Sequence, residues 1–143
     1  MLSNKDKYNV AVVGATGIVG ESLLDIIHSR NFPVENLHAV ASKKSKGSTV
    51  KYGNTLLTVE ALDEFDFSDI DIAFFSAGGS ISKQYVPIAT KQNCIVIDNT
   101  SEYRYVENIP LIVPEVNREE IKNYVATNII ANPNCSTIQM LVA

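Results

Sequence analysis

Cys135 is one of two cysteines in a chain of 143 residues, and its surroundings could make it reactive. The apolar run Ile129-Ile130-Ala131 reads as a buried strand, and Asn132-Pro133-Asn134 breaks it. Cys135-Ser136-Thr137 and the apolar stretch Ile138 to Ala143 follow, so the cysteine falls in or near the first turn of a helix. Unpaired N–H groups and the positive end of a helix dipole favour an anion there, and the thiolate is the nucleophilic form of sulfur. A buried, inert thiol at a strand–helix junction would leave the same local pattern.

Three other stretches offer chemistry. Gly14-Ala15-Thr16-Gly17-Ile18-Val19-Gly20 lies between an apolar run and a helical pattern, the context of a dinucleotide fingerprint. The first glycine allows a tight turn, the middle one lets backbone approach a pyrophosphate, and the third lets helix pack on strand. Free N–H groups at the start of the helix then bind the anion. The spacing G-x-x-G-x-x-G matches the general fingerprint only in part, and a ligand-free turn could use the same glycines. Ser42-Lys43-Lys44-Ser45-Lys46-Gly47 stands where a second strand ends, the point at which such sites choose their cofactor. Hydroxyls and lysines without an acid suit a ribose 2′-phosphate, hence NADP; a solvated basic loop is the plainer account. Glu35 is at the right distance from the glycines but precedes the strand. Finally, Asn99 and Arg104 follow a buried strand, and the planar fork of arginine suits phosphate or carboxylate.

The elements that must carry these residues alternate. Tyr8 to Val13 reads as a strand buried on both faces of a parallel sheet, and Glu21 to Arg30 as a helix with Leu23, Leu24, Ile26 and Ile27 on one face. Leu37 to Ala41 is a second strand, with His38 near its start. Two β-prone pieces between Thr49 and Glu60 flank Gly53-Asn54 as a hairpin, and Ala61 to Ser68 is polar and turn-like. Ile70 to Phe75 is a central strand ending in Ser76-Ala77-Gly78-Gly79-Ser80, whose small residues leave room for a flat ligand. Ser80 would cap a helix from Ile81 to Gln92. Cys94 to Asp98 is another buried strand, with Cys94 at its beginning and therefore structural. Pro110 to Asn117 reads as extended, and Asn117 with Glu120 as a capping box for a helix from Arg118 to Tyr124. Met1 to Lys7 is expected to fray. Together these give an α/β fold of Rossmann type, a doubly wound, mostly parallel sheet with helices on both faces.

Composition bounds the rest. Length fits one domain, and a net charge of −4 speaks weakly against nucleic acid or an anionic membrane as partner. No apolar run reaches membrane-spanning length, no secretory pattern opens the chain, and two cysteines fit a reducing cytoplasm. His28 and His38 are the only histidines, and no Cys/His spacing suggests a metal. The chain stops inside a helical pattern without Gly, Pro or a basic cap, as a truncated piece would.

Four stretches together resemble aspartate-β-semialdehyde dehydrogenase, in its bacterial branch: Val12 to Gly20; Phe75 to Ser80; Val96 to Ser101; and Val113 to Asn117 leading to Asn132-Pro133-Asn134-Cys135-Ser136-Thr137. The resemblance covers nearly the whole chain. It implies that residues 1–143 are the NADP-binding portion, with Gly14, Thr16, Gly17, Ile18, Val19, Ser42, Lys44, Ser45, Ser76, Ala77 and Gly78 at the cofactor. A substrate and dimerisation domain would lie outside these residues. Cys135 would be the nucleophile and Arg104 the phosphate holder, with Asn99 and Asn134 beside the substrate. The small-molecule substrates would be aspartyl phosphate or aspartate semialdehyde with phosphate, and the parent enzyme a homodimer or homotetramer serving lysine, threonine, methionine and diaminopimelate synthesis. The family commonly has an arginine where this chain has Lys44, which keeps the charge and loses the fork. Its acid/base histidine falls after residue 143, so the chain alone is expected to be inactive. Asn134 has a plainer role as a turn residue ahead of the helix. N-acetyl-γ-glutamyl-phosphate reductase shares the glycine turn and thioester chemistry, but its cysteine sits in Asn-Pro-Gly-Cys-Tyr; Asn134 and Ser136 depart from that. A non-catalytic nucleotide-binding or interaction module is the alternative of another class.

Overall fold

A computed structural model describes Lys5 to Ala143. Seven strands form one sheet in the order β3-β4-β2-β1-β5-β6-β7. They are β1 (Tyr8–Val13), β2 (Val34–Ala41), β3 (Thr49–Tyr52), β4 (Thr55–Ala61), β5 (Ile72–Phe75), β6 (Ile95–Asp98) and β7 (Ile129–Ala131). Among the described residues only the β3–β4 pairing is antiparallel. The chain builds outward from β1 on one side, then returns to lay β5 along the other flank of β1. That reversal makes a crevice at the carboxyl ends of β1 and β5, where open α/β sheets bind ligands.

Alternation along β1 divides the core. Ala11 and Val13 face a cluster holding Leu62, Phe67, Phe75 and the helix residues Val86 and Ala89. Val10 and Val12 face Leu24, Ile27, Ala39 and Val50 on the other side. Helix α1 (Ile18–Ser29) covers the second face and α2 (Gly79–Lys91) the first. A third cluster of Ile95, Ile112 and Ile130 sits under the segment after β6. Asn31 and Asn93 take positive φ just beyond α1 and α2, the left-handed turn that lets the chain enter the next strand.

Several expectations need correction. Ile26 is 48% exposed, so the buried face of α1 is Gly20, Leu24 and Ile27. Helix α2 begins at Gly79, and its N-cap is Gly78 at φ +99°, not Ser80. The polar-looking 61–68 stretch is a short 3₁₀ turn, Leu62–Glu64, whose Leu62 and Phe67 are core residues. Phe67 meets Phe65 edge-on at 4.9 Å and Phe75 in a stack at 6.0 Å. Apolar side chains in a polar stretch anchor the crossover from β4 to β5, which has no helix to do so.

Pro114–Asn117 forms a helical turn, α3, rather than an extended piece, while Leu111 bridges to Ala131. Asn117 closes α3 backward instead of capping a following helix. Its side chain accepts the Val113 N–H at 2.9 Å and donates to the Leu111 carbonyl at 2.9 Å. Arg118–Ala126 is a 3₁₀ segment without a side-chain cap. Glu35 lies inside β2, near its amino end, and His38 is mid-strand opposite Ala11. Of the stretch expected to fray, Met1 to Asn4 lies outside the described residues, whereas Lys5 donates to Asp71 at 2.6 Å.

Candidate functional site

The glycine turn shows what each glycine does. Gly14 has φ +93°, and a Cβ there would lie 2.9 Å from Ser76 Oγ and 3.0 Å from the Ala77 nitrogen. A Cβ on Gly20 would fall 2.1 Å from the Gly14 carbonyl oxygen, so this position lets α1 sit tight on the turn. Gly17 is different. Its φ is −92°, and the nearest atom to its hypothetical Cβ is the Gly14 oxygen at 3.4 Å. The protein itself does not require Gly17 to lack a side chain, since the space beside it is open. The Gly14 and Ala15 N–H groups both donate to the Val40 carbonyl, and the Gly17 N–H to Gly14. The first N–H groups of α1, beginning at Ile18 and Val19, have no carbonyl one turn back and are left for an anion.

Beside this turn is a crevice of ≈ 310 Å³ lined by Val13, Gly14, Thr16, Gly17, Ala41, Ser42, Leu62, Ser76, Ala77 and Ile81. Of the sequence candidates it unites Gly14, Thr16, Gly17, Ser42, Ser76 and Ala77. Ser76 is held there by its hydroxyl, which donates to the Val13 carbonyl at 3.1 Å. Gly78 caps the adjacent helix outside the lining, and Ile18 and Val19 are exposed at the helix start. Ala41, Leu62 and Ile81 were not singled out from sequence; a core-like leucine in a polar stretch was the available signal for Leu62. A larger groove of ≈ 620 Å³ between Asn108–Leu111 and the 3₁₀ segment contains none of the candidates.

Among the described residues no acidic side chain lines the crevice. Glu35 is at the opposite end of β2, 3.7 Å from Lys7. Beyond Ser42 the chain makes a 3₁₀ turn, Lys43–Ser45. Lys43 lies 3.6 Å from both Asp63 and Glu64, and Lys46 bonds Glu64. Hydrogen bonding and charge from each other hold the Lys46 ammonium above, and the Glu64 carboxyl below, their ordinary ranges. Among the described residues Lys44 alone of the three lysines makes no ion pair, and it is exposed. Ser45 is tied into the turn through its backbone, its N–H donating to Ser42 at 2.8 Å. Small walls, an uncrowded Gly17, free N–H groups and a free lysine fit a dinucleotide carrying a 2′-phosphate.

The cysteine is at the same edge of the sheet. Helix α4 (Cys135–Val142) starts on Cys135 itself, and Asn134 is its N-cap, with Oδ1 accepting the Ser136 N–H at 2.9 Å. Capping is thus the role the geometry gives the Asn134 side chain. Cys135 is exposed, whereas Cys94 is fully buried, and burial with help from Asp71 pushes the Cys94 thiol up to about 12.

Arg104 is half-buried and reaches the turn that leads to Cys135. Its Nε donates to the Asn132 carbonyl at 3.0 Å and its Nη2 to the Asn99 carbonyl at 3.1 Å. The Asn132 side-chain amide also donates to Asn99 Oδ1. Beneath this loop the fully buried Asp98 accepts from the hydroxyls of Ser82 and Thr100, each at 2.7 Å. Tyr103 closes the loop onto α2 by donating to the Ser82 carbonyl at 3.4 Å; burial, then Asp98 and Glu102, raise its phenol. Sequence reasoning missed Asp98, Ser82 and Asn132 as parts of the site. A carboxylate ending an apolar strand was the signal for Asp98.

The histidines serve elsewhere. His28 packs edge-on against Tyr52 at 5.2 Å beside the β3–β4 hairpin, and His38 Nδ1 is 2.8 Å from Glu60. Among the described residues no group of acidic, histidine and cysteine side chains could hold a metal, and no helix is long and apolar enough to cross a membrane.

Known proteins agree with this architecture. Aspartate-semialdehyde dehydrogenase of Shewanella violacea is 50% identical over 137 residues, 96% of this chain and 40% of that protein. The Legionella pneumophila enzyme of the same name is 53% identical over 135 residues, 94% of this chain and 39% of that protein. The chain thus spans about 40% of the length of the curated relatives it matches. The crystal structure of Vibrio cholerae aspartate semialdehyde dehydrogenase II complexed with ASA superposes with a TM-score of 0.92 at 51% identity, over 94% of this chain and 44% of that one. The Candida albicans enzyme with NADP gives 0.77 at 25% identity, over 95% and 45%. The family described as "Semialdehyde dehydrogenase, NAD binding domain" matches residues 9–124, most of the sheet and the whole glycine-turn crevice, and the chain belongs to that family.

Proposed function

We propose that the chain is the nucleotide-binding, cysteine-bearing portion of an NADP-dependent aspartate-semialdehyde dehydrogenase. The observation that carries this is the exposed Cys135 on the first turn of α4, three residues after the Asn132 carbonyl that holds Arg104. Three residues of extended chain span at most about 11 Å, so thiol and guanidinium share one small region at the sheet's carboxyl edge.

That pairing suits acyl-phosphate chemistry. Cys135 Sγ attacks the acyl carbon of β-aspartyl phosphate, the carbon–oxygen bond to phosphate breaks, and phosphate leaves with the electron pair beside Arg104. A thioester on Cys135 results. First-turn N–H groups of α4 other than that of Ser136, which Asn134 caps, would stabilise charge on the acyl oxygen. Gly14, Thr16, Gly17, Ser42, Ser76 and Ala77 would hold NADPH, with Lys44 toward the 2′-phosphate; when bound it would supply hydride to the thioester carbon, and breaking of the carbon–sulfur bond would then release the aldehyde and the Cys135 thiolate. His28 and His38, engaged with Tyr52 and Glu60, leave Cys135 without an imidazole partner among the described residues. Residues 1–143 alone are therefore expected to give no turnover. The full-length protein would be a cytoplasmic homodimer or homotetramer in aspartate-family amino-acid biosynthesis.

The test is phosphate-dependent NADP reduction with L-aspartate 4-semialdehyde by the full-length protein. Cys135→Ala should lower kcat on the order of 10³-fold or more, and residues 1–143 should show no turnover. In the 143-residue chain, Cys135 should be alkylated near neutral pH far faster than Cys94. Equal rates would favour a non-catalytic module, and oxidation that needs no phosphate would sink the acyl-phosphate reading.

A further inference from the structure

We propose that Asn99 and Asn132 are positioning residues for Arg104, and that Arg104 meets its anion through only one of its two bidentate edges. A guanidinium offers a side-on pair, Nε–H with Nη2–H, and an end-on pair, Nη1–H with the second Nη2–H. The side-on pair is taken by two backbone carbonyls, Asn132 at 3.0 Å and Asn99 at 3.1 Å. Among the described residues no hydrogen bond uses Nη1, so an oxyanion is received end-on.

The two carbonyls belong to different segments, one after β6 and one after β7. Their spacing is fixed by the Asn132 amide on Asn99 Oδ1, and by backbone bonds from the Asn99 N–H to Phe75 and from the Asn132 N–H to Asp98, each at 2.8 Å. The Asn99 side-chain oxygen is thus spent on Asn132, which ties the two segments together. Arg104 is locked to the segment that ends in Cys135, so a shift of one moves the other. This rests on the proposed reaction only in naming phosphate as the anion.

The experiment is a double-mutant cycle in the full-length protein with Asn99→Ala, Asn132→Ala and the pair. If both act through one bond, each single variant raises the KM for phosphate by about tenfold, kcat stays within about threefold, and the double variant is no worse than either single one. If Asn99 contacts phosphate directly, its variant is the more damaging and the two effects multiply, which overturns the proposal. Unchanged phosphate KM in both singles overturns it too. Arg104→Lys, which cannot hold two carbonyls and still offer a fork, should raise the phosphate KM without changing affinity for NADP.

A readout free of turnover uses the 143-residue chain. The Arg104 Nε–H resonance in a ¹H–¹⁵N spectrum should be slow to exchange, and should move and broaden in both Asn variants without any ligand added. A rapidly exchanging Nε–H in the unmutated chain refutes the anchoring even if the enzyme reading stands. An anchored Nε–H in a protein without phosphate-dependent activity refutes the enzyme reading and leaves the anchoring intact.

Discussion

Two thiols in one chain have opposite fates, and position alone separates them. Cys94 lies in the core cluster beneath α2, just before β6, and its proton is held up to about 12 from an ordinary 9.0. Below pH 9 folded and unfolded chains both keep that proton, so the group leaves stability unchanged. Between pH 9 and about 12 the unfolded chain loses it and the folded chain does not, so stability falls as pH rises, by at most ~1.4 kcal/mol per unit from this group. Urea unfolding of the chain at neutral pH and again near the top of that window should show the loss. Cys94→Ala should flatten the slope while lowering stability at every pH through the vacated volume. Cys135 sits at the other limit, exposed at a helix start. The sequence was ambiguous at Cys135 because a strand, a break and a helix say nothing about whether the thiol faces solvent; burial is a tertiary property. Asn132 could not be assigned at all, since its partners, Asn99 and Arg104, are 33 and 28 residues away.

At the scale of the element, the glycine turn is where sequence pattern and geometry agree most closely, because a positive φ at Gly14 and the packing of Gly20 on Gly14 and Ala15 are set within the turn. Gly14 is also crowded by Ser76 and Ala77 of the distant β5 turn, whereas nothing in the protein crowds Gly17. Two substitutions should part these roles. Gly20→Ala must move backbone and should cost about 3 kcal/mol or more, read as a lowered urea midpoint. Gly17→Ala should change stability by less than ~1 kcal/mol yet weaken NADP binding by about tenfold, read by titration of nucleotide fluorescence or calorimetry. Equal stability losses in the two would show that Gly17 is structural. Helix ends were harder to read than turns. Ser80 and Asn117 have the side chains of N-caps, but Gly78 takes a positive φ that starts α2 two residues early, and Asn117 finds backbone partners behind it. Capping preferences name residues able to serve; neighbouring chain decides which do.

For the whole molecule, the parallel core was legible from its apolar runs, whereas the joints between strands were not. The crossover from β4 to β5 carries no α-helix, and Phe67, in contact with both Phe65 and Phe75, anchors it instead. Phe67→Ala should therefore cost about 3–5 kcal/mol and unfold the sheet as a unit, with one denaturant transition seen by every probe. Survival of the β1–β5–β6 signals after loss of the β2–β4 side would mean that the two halves are separable. The strand order has a temporal consequence as well. Among the described strands β7 is the outermost on its side, only three residues long, and the latest in sequence. A chain emerging from the ribosome completes the glycine turn and its crevice when β5 joins β1, more than fifty residues before Cys135 is synthesised. The glycine-turn crevice is thus assembled before the thiol. Docking of a three-residue strand is then the event that brings Asn132 to Arg104, so newly made chains carry an unseated thiol until the sheet is closed.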